Sequence, residues 1–265
     1  MKTAWGHLLR ALLLVLVAAL ALQVFFLARI ALMAAVDPQS TTFQRSEAWR
    51  LLTEKHQLLW AQQWVDGSRI SANLKRAVIA SEDAGFAEHS GVEWDALEKA
   101  WERNQKAEAR VEKINEKIDK RVQKAVAAGK PAAAPKAPVH AQPKVVGGST
   151  ITQQLAKNLF LGSERSLLRK AQEFVVTFML EALLSKQRIL EIYLNSVEWG
   201  EGVFGAEAAS RHYFHVGASS LGAMQAAQLA VMLPAPKRFE KRPGSAYVVG
   251  RAGTVAARMG AVELP

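Results

Sequence analysis

Residues 8–36 consist mostly of Leu, Ala and Val, and within them residues 11–28 form an eighteen-residue uncharged run broken only by Gln23. As a helix, such a run extends about 27 Å, close to the hydrocarbon thickness of a bilayer. Apolar positions on both sides lengthen it, and Arg29 can snorkel to the interface at its far end. A cleaved signal peptide would have a shorter core and a clean small-residue exit, whereas the exit here reads LMAAVDP. The reading is a retained anchor over residues 1–36. Lys2 and Arg10, ahead of the run, point to a cytoplasmic N-terminus through a slight charge asymmetry. The remainder, residues 37–265, must then fold as a domain tethered to a membrane.

That remainder reads as mainly α-helical. A short apolar stretch at 74–80 ends at the acidic pair Glu82-Asp83. Residues 92–105 carry Trp94, Leu97 and Trp101 on one side of a helix. Residues 167–184 are long and very apolar, Ser185 can cap a helix over 186–195, and a further apolar helix over 221–232 is stopped by Pro234 and Pro236. No strand-like alternation of any length and no internal repeat is seen. Residues 37–68 connect the anchor to the first acidic pair, with apolar and Trp positions that suggest packing on the domain.

Residues 104–146 differ in character. The first part is charged and helix-forming, with Val111, Ile114, Ile118, Val122 and Ala125 in a narrow apolar seam. The second part is Pro/Ala-rich and cannot build a core. Ten Lys/Arg against four Asp/Glu give this segment six of the chain's ten net positive charges. It reads as an inserted basic helix on a linker, solvated or resting on anionic lipid or a partner helix. Cysteine is absent, so disulfides and thiolate metal sites are excluded.

The run GGSTITQQLAKN at 147–158 carries the most chemistry. Two glycines break the backbone, Ser149 and Thr150 can cap a helix, and Ile151, Leu155 and Leu159 recur on one face. Gln153 and Lys157 sit one turn apart, as do Gln154 and Asn158. Free N–H groups at a helix start favour phosphate, and Lys157 adds a point charge one turn on. In SEDAGFAEHSGVEW, residues 81–94, a carboxylate at a partly dry cleft edge would have a pKa raised toward the range useful for proton transfer. His89 reads as a hydrogen-bonded structural residue. In RKAQE, residues 169–173, Glu173 stands one turn after Arg169, as in an ordinary ion pair.

These segments, taken with ILEIYLNSVEWGEGVFGAEAASRHYF (189–214) and AAQLAVMLPAPKRF (226–239), resemble in order the five motifs of the peptidoglycan glycosyltransferases, family 51. The anchor, and the absence of S-x-x-K and K-T-G, resemble the monofunctional biosynthetic members, which lack a penicillin-binding transpeptidase. The resemblance implies a lysozyme-like two-lobed helical fold. It implies polymerisation of lipid II into β-1,4 glycan strands, by inverting transfer with release of undecaprenyl pyrophosphate. By resemblance Glu82 is the catalytic base and Glu173 the second catalytic carboxylate. Asp83 would support Glu82 or orient substrate. Gln153, Gln154, Lys157, Asn158, Arg165, Arg169 and Lys170 would bind substrate, the cations at the pyrophosphate. No cofactor is required, with a divalent cation admitted as an aid to the pyrophosphate. The implied partners are lipid II, the growing strand, the bilayer and cell-wall synthesis or division proteins, with no nucleic acid. The implied location is the bacterial inner membrane, single-pass, with a periplasmic catalytic domain. The departure from the family's pattern is the 104–146 insert.

Two motifs are set aside. Gly200-x-Gly202-x-x-Gly205 spells a dinucleotide fingerprint but follows a helix-like segment, so it reads as a tight loop. His212 and His215 have no evident third ligand. Two rival functions remain: a muramidase that cleaves the same bond with one carboxylic acid, and a non-catalytic scaffold for wall assembly.

Overall fold

A computed structural model describes residues 2–127, 141, 148–162, 164 and 166–265. The chain divides into two compact units, Met1–Val92 with Thr150–Pro265, and Glu93–Ser149. The first unit begins with α1 (Lys2–Met33), which over Trp5–Met33 is long and apolar enough to cross a membrane. Phe26, Ile30 and Met33, at its end, are buried in the core of the same unit.

Each following helix has a local reason to start. In α2 (Thr42–Arg50), Thr41 and Gln44 form a capping box, and a π-turn, Leu51–Lys55, prolongs it until His56 enters the left-handed region. Ser71 caps α3 (Ala72–Glu82), whose Leu74, Ala77, Val78 and Ile79 face the core. Thr150 caps α5 (Ile151–Phe160), Ser166 caps α6 (Leu167–Leu183), and Ser185 caps α7 (Lys186–Ser196). The expected helix starts at Thr150 and Ser185 are therefore found. The last helices are α8 (Ala206–Phe214), α9 (Ala223–Met232), α10 (Pro236–Phe239, with Pro at its first position) and α11 (Ala246–Arg258). Helices α3, α9 and α11 pack on one another, and α5 packs on α6 and α7, around one continuous core.

Periodicity did not reveal a small sheet. β1 (Ala61–Gln62) pairs in parallel with β3 (Val203–Phe204), and β3 pairs antiparallel with β2 (Glu198–Gly200). The glycines of the false dinucleotide fingerprint build this hairpin. Gly202 has φ +76 and lies so close to the Leu59 carbonyl that a Cβ would meet its oxygen at 2.0 Å, and Gly205 (φ +83) starts α8.

In the second unit, α4 (Trp94–Ala127) is one unbroken helix. The sequence divided it near Gln105, where the charge density rises, but no helix breaker stands there, so the apolar start and charged continuation join. The seam is only half covered: Ile114 and Val122 are exposed, and Val111 and Ile118 are partly buried. Asn115 is tied to the returning chain, accepting from the Ala141 N–H at 2.9 Å and donating to its carbonyl at 3.1 Å. The Pro/Ala-rich stretch falls almost wholly outside the described residues.

Candidate active site

The site is built from the C-terminal end of α3, from α5, and from the first half of α6. Glu82 is the last residue of α3 and is half-buried. Gln154 Nε2 donates to its Oε2 at 3.0 Å, and Tyr193 O–H on α7 donates to Gln154 Oε1 at 2.9 Å. The tyrosine fixes which way the amide faces and leaves its N–H₂ for the carboxylate. Burial pushes the Glu82 pKa up, the Gln154 hydrogen bond pulls it down, and the negative charge of Asp83 raises it again. Burial also drives the Tyr193 pKa well above its ordinary value, with Glu82 and Asp83 adding to it, so this phenol stays a donor.

Asp83 has a different part from the one expected. It is buried, and its two oxygens bond to groups other than Glu82. Oδ1 meets His89 Nε2 at 2.7 Å, and Oδ2 accepts the Ile151 N–H at 2.9 Å. His89 Nδ1 accepts from the Gly91 N–H at 3.1 Å, so Nε2 carries the hydrogen and donates to Asp83. Asp83 thus fastens the end of α3 to the start of α5. This corrects the picture of a helix start with free N–H groups for phosphate, because an internal carboxylate occupies the N-terminus. Gln153 is also drawn inward. Its Oε1 accepts the Thr150 N–H at 3.0 Å while Thr150 Oγ1 accepts the Gln153 N–H at 3.2 Å and donates to the Gly91 carbonyl at 2.6 Å. Gln153 is buried in the capping box and turned away from the cleft, with Nε2 lacking a hydrogen bond.

One turn beyond Gln154, Lys157 enters a second group. Glu173 is 3% exposed and accepts from Arg169 at 2.8 Å and from the Lys170 ammonium. Burial lowers the Lys157 pKa and Glu173 raises it, while Arg169 and Lys170 lower it further, although part of the side chain stays open to solvent. Three cations therefore surround one carboxylate, leaving the group with excess positive charge. Lys157, Asn158 and Arg169 line a cavity of about 460 Å³ together with Phe43, Ser46, Glu47, Arg50, Leu161 and Gly162. Glu82 lies beyond that lining, one helical turn toward the start of α5. Arg165 is outside the described residues.

The opposite wall of the cavity was not legible. Arg50 is held by Glu47, Glu54 and Glu201, the last at 2.6 Å, and Lys237 bonds Glu47 and approaches Glu198 at 3.5 Å. Glu198 is buried, and burial pushes its pKa up to about 7 against the pull of Lys237. Lys237 lies in the last of the five motifs and Glu198 in the fourth, so the signal was present without an assigned role. Among the described residues no group of three His, Cys, Asp or Glu side chains is placed to hold a metal ion. A divalent cation at Glu173 would have to displace Arg169 and Lys170 from both oxygens, so the residues present do not fit one.

The sequence model of the family described as "Transglycosylase" matches residues 51–112 and 123–260. The chain is 50% identical over 246 residues to a "Biosynthetic peptidoglycan transglycosylase" of Burkholderia orbicola (strain MC0-3), covering 93% of this chain and 86% of the relative. A protein of the same description in Burkholderia lata gives the same identity and coverage. A third, in Paraburkholderia phytofirmans, is 49% identical over 249 residues, covering 94% of this chain and 90% of the relative.

Proposed function

The chain belongs to the transglycosylase family, and from that membership we propose how its cleft works. It is a peptidoglycan glycosyltransferase that lengthens glycan strands. The substrates in this reading are lipid II and the growing strand. Glu82, ionised and held by Gln154, takes the proton of the acceptor 4-hydroxyl as that oxygen bonds to the donor's anomeric carbon. The bond from that carbon to the diphosphate breaks with its electron pair on the leaving group, and the α-linked donor becomes a β-1,4 product. The leaving group is already anionic and needs positive charge more than a proton. Lys157, Arg169 and Lys170 supply it, with Asn158 and Gln154 as neutral donors beside them. Glu173 is the buried counter-ion that holds Arg169 and Lys170 in aim, and Asp83 keeps α3 and α5 in register.

What supports this reading is the geometry of α5. Its first turn holds the base through Gln154, and its second carries Lys157 to the Glu173 group. Residues 37–265 form the catalytic domain in this proposal, with 104–146 inserted in it. In the same proposal the anchor tethers that domain to the inner membrane with the cleft on the periplasmic side.

The test offers the purified protein labelled lipid II and, separately, finished glycan strands. Lengthening products from lipid II support synthesis. Shortened strands with no lengthening would replace it with a muramidase, in which Glu82 donates a proton to the glycosidic oxygen.

A further inference from the structure

Gln23 is the one polar break in the uncharged apolar run of α1. A side-chain amide at that depth is costly unless it is hydrogen-bonded. Its partner is on α6: Gln23 Nε2 donates to Gln172 Oε1 at 2.9 Å, and Gln172 Nε2 donates back to Gln23 Oε1 at 3.0 Å. A reciprocal amide pair fixes both the depth and the rotation of two helices, because either a slide or a turn breaks both bonds.

The contact continues beyond the pair. Phe26, one turn on, is buried against Phe160 with ring centroids 5.0 Å apart. Ile30 and Met33 enter the core, and Arg188 closes the end by donating to the Met33 carbonyl at 2.8 Å and pairing with Asp37 at 2.7 Å. Residues of the last third of α1 thus join the core of the globular unit, while the stretch before Gln23 is exposed and is uncharged from Ala11 on. Counted from Ala11, the uncharged part of that stretch rises only about 18 Å, so the run needs the residues beyond Gln23 to cross a bilayer. Gln23 therefore lies inside the membrane-crossing run, on the side of α1 that meets the domain.

Gln172 precedes Glu173 in α6 and lies within one turn of Arg169 and Lys170. The angle at which α6 is held decides where those cations point, and on the outer side of α6 Leu167 and Leu168 are exposed and give it no protein surface to lean on. We propose that Gln23 and Gln172 are a positioning pair, through which the anchor helix sets the rotation of α6 and so the aim of Arg169, Lys170 and Glu173 at the substrate diphosphate. The anchor is then a working part of the site as well as a tether. This rests on the reading of that cluster as the diphosphate site.

The experiment uses the full chain in lipid vesicles with lipid II as substrate, comparing wild type with Gln23→Leu, Gln172→Leu, the double variant and Gln23→Glu. Each Leu variant strands one amide, so the melting temperature should drop by a few degrees with the protein still fully folded at the assay temperature, while kcat falls about tenfold with KM within twofold. The double variant should be no worse than either single one, as expected of coupled partners. Gln23→Glu, near-isosteric and still able to accept from Gln172 Nε2, should recover most of the rate. Wild-type kcat in both Leu variants, or a loss matched by a lower folded fraction, overturns the pair as a positioning device. An inactive wild type would instead overturn the assigned reaction, so the two failures are distinct.

Discussion

Glu82 and Glu198 are both carboxylates that burial pushes toward the neutral form, and they differ in what stands beside them. Glu82 has one neutral donor, Gln154, and the negative Asp83 nearby. Glu198 has the Lys237 ammonium at 3.5 Å, while its Oε1 has no hydrogen bond. For Glu198 the consequence can be worked out. Its pKa is about 7 in the folded chain, against 4.5 for the ordinary side chain. Below 4.5 both states keep the proton. Between 4.5 and 7 the unfolded chain ionises first, so this group's contribution to stability is lost as pH rises. Glu198→Gln should remove that slope, stabilising the protein by about 1–3 kcal/mol at pH 8 and leaving it unchanged near pH 4.5. Thermal denaturation at the two pH values checks this. At this scale the sequence located the polar residues and misjudged some of their directions. Asp83 and Gln153 are spent on the start of α5, because their partners, His89, Ile151 and Thr150, are set by a helix junction that spacing cannot display.

Helices were legible because their start signals are local. Thr150 and Ser185 cap where hydroxyl residues precede an apolar period, and α5 has the capping box that Thr150 and Gln153 spell. The sheet was not legible, since strands of two or three residues have no period to read, and β1 finds its partner across the chain at Val203. The glycine that permits that pairing gives the test. The Gly202 carbonyl accepts the Ala61 N–H at 2.8 Å, and the residue has no room for a side chain. Gly202→Ala combines a positive φ with a backbone clash and should cost about 2 kcal/mol or more, read as a lower melting temperature. Gly244→Ala, where a Cβ meets nothing within 4 Å, is the control and should melt with the parent.

Across the whole molecule, the uneven spread of charge matters more than its total. The chain's net charge is +10, and residues 104–146 hold most of it. At the candidate site Glu173, Glu47 and Glu201 offset part of the positive charge, so the excess left there is small and local. Basic composition therefore says little about the cleft and more about the segment that contains most of α4. Deleting residues 105–144 should weaken binding to anionic vesicles several-fold, with a loss that shrinks at high salt, and leave polymerisation detectable. Vesicle flotation at two salt concentrations measures it, and unchanged binding would mean that the helix is simply solvated. The anchor was the plainest feature of the sequence, yet its junction with α6 through Gln23 and Gln172 was invisible there, since one glutamine in an apolar run does not name its partner.

The most direct measurement is polymerisation of labelled lipid II by wild type and by Glu82→Gln, each shown to be folded by its melting curve. Gln keeps the acceptor for Gln154 and removes only the basic oxygen, and it should melt no lower than the parent because burial already disfavours the charge at this position. The account predicts a rate lower by about 10²–10⁴-fold with the folded state intact. Strands formed at the parental rate by a folded Glu82→Gln protein would contradict it.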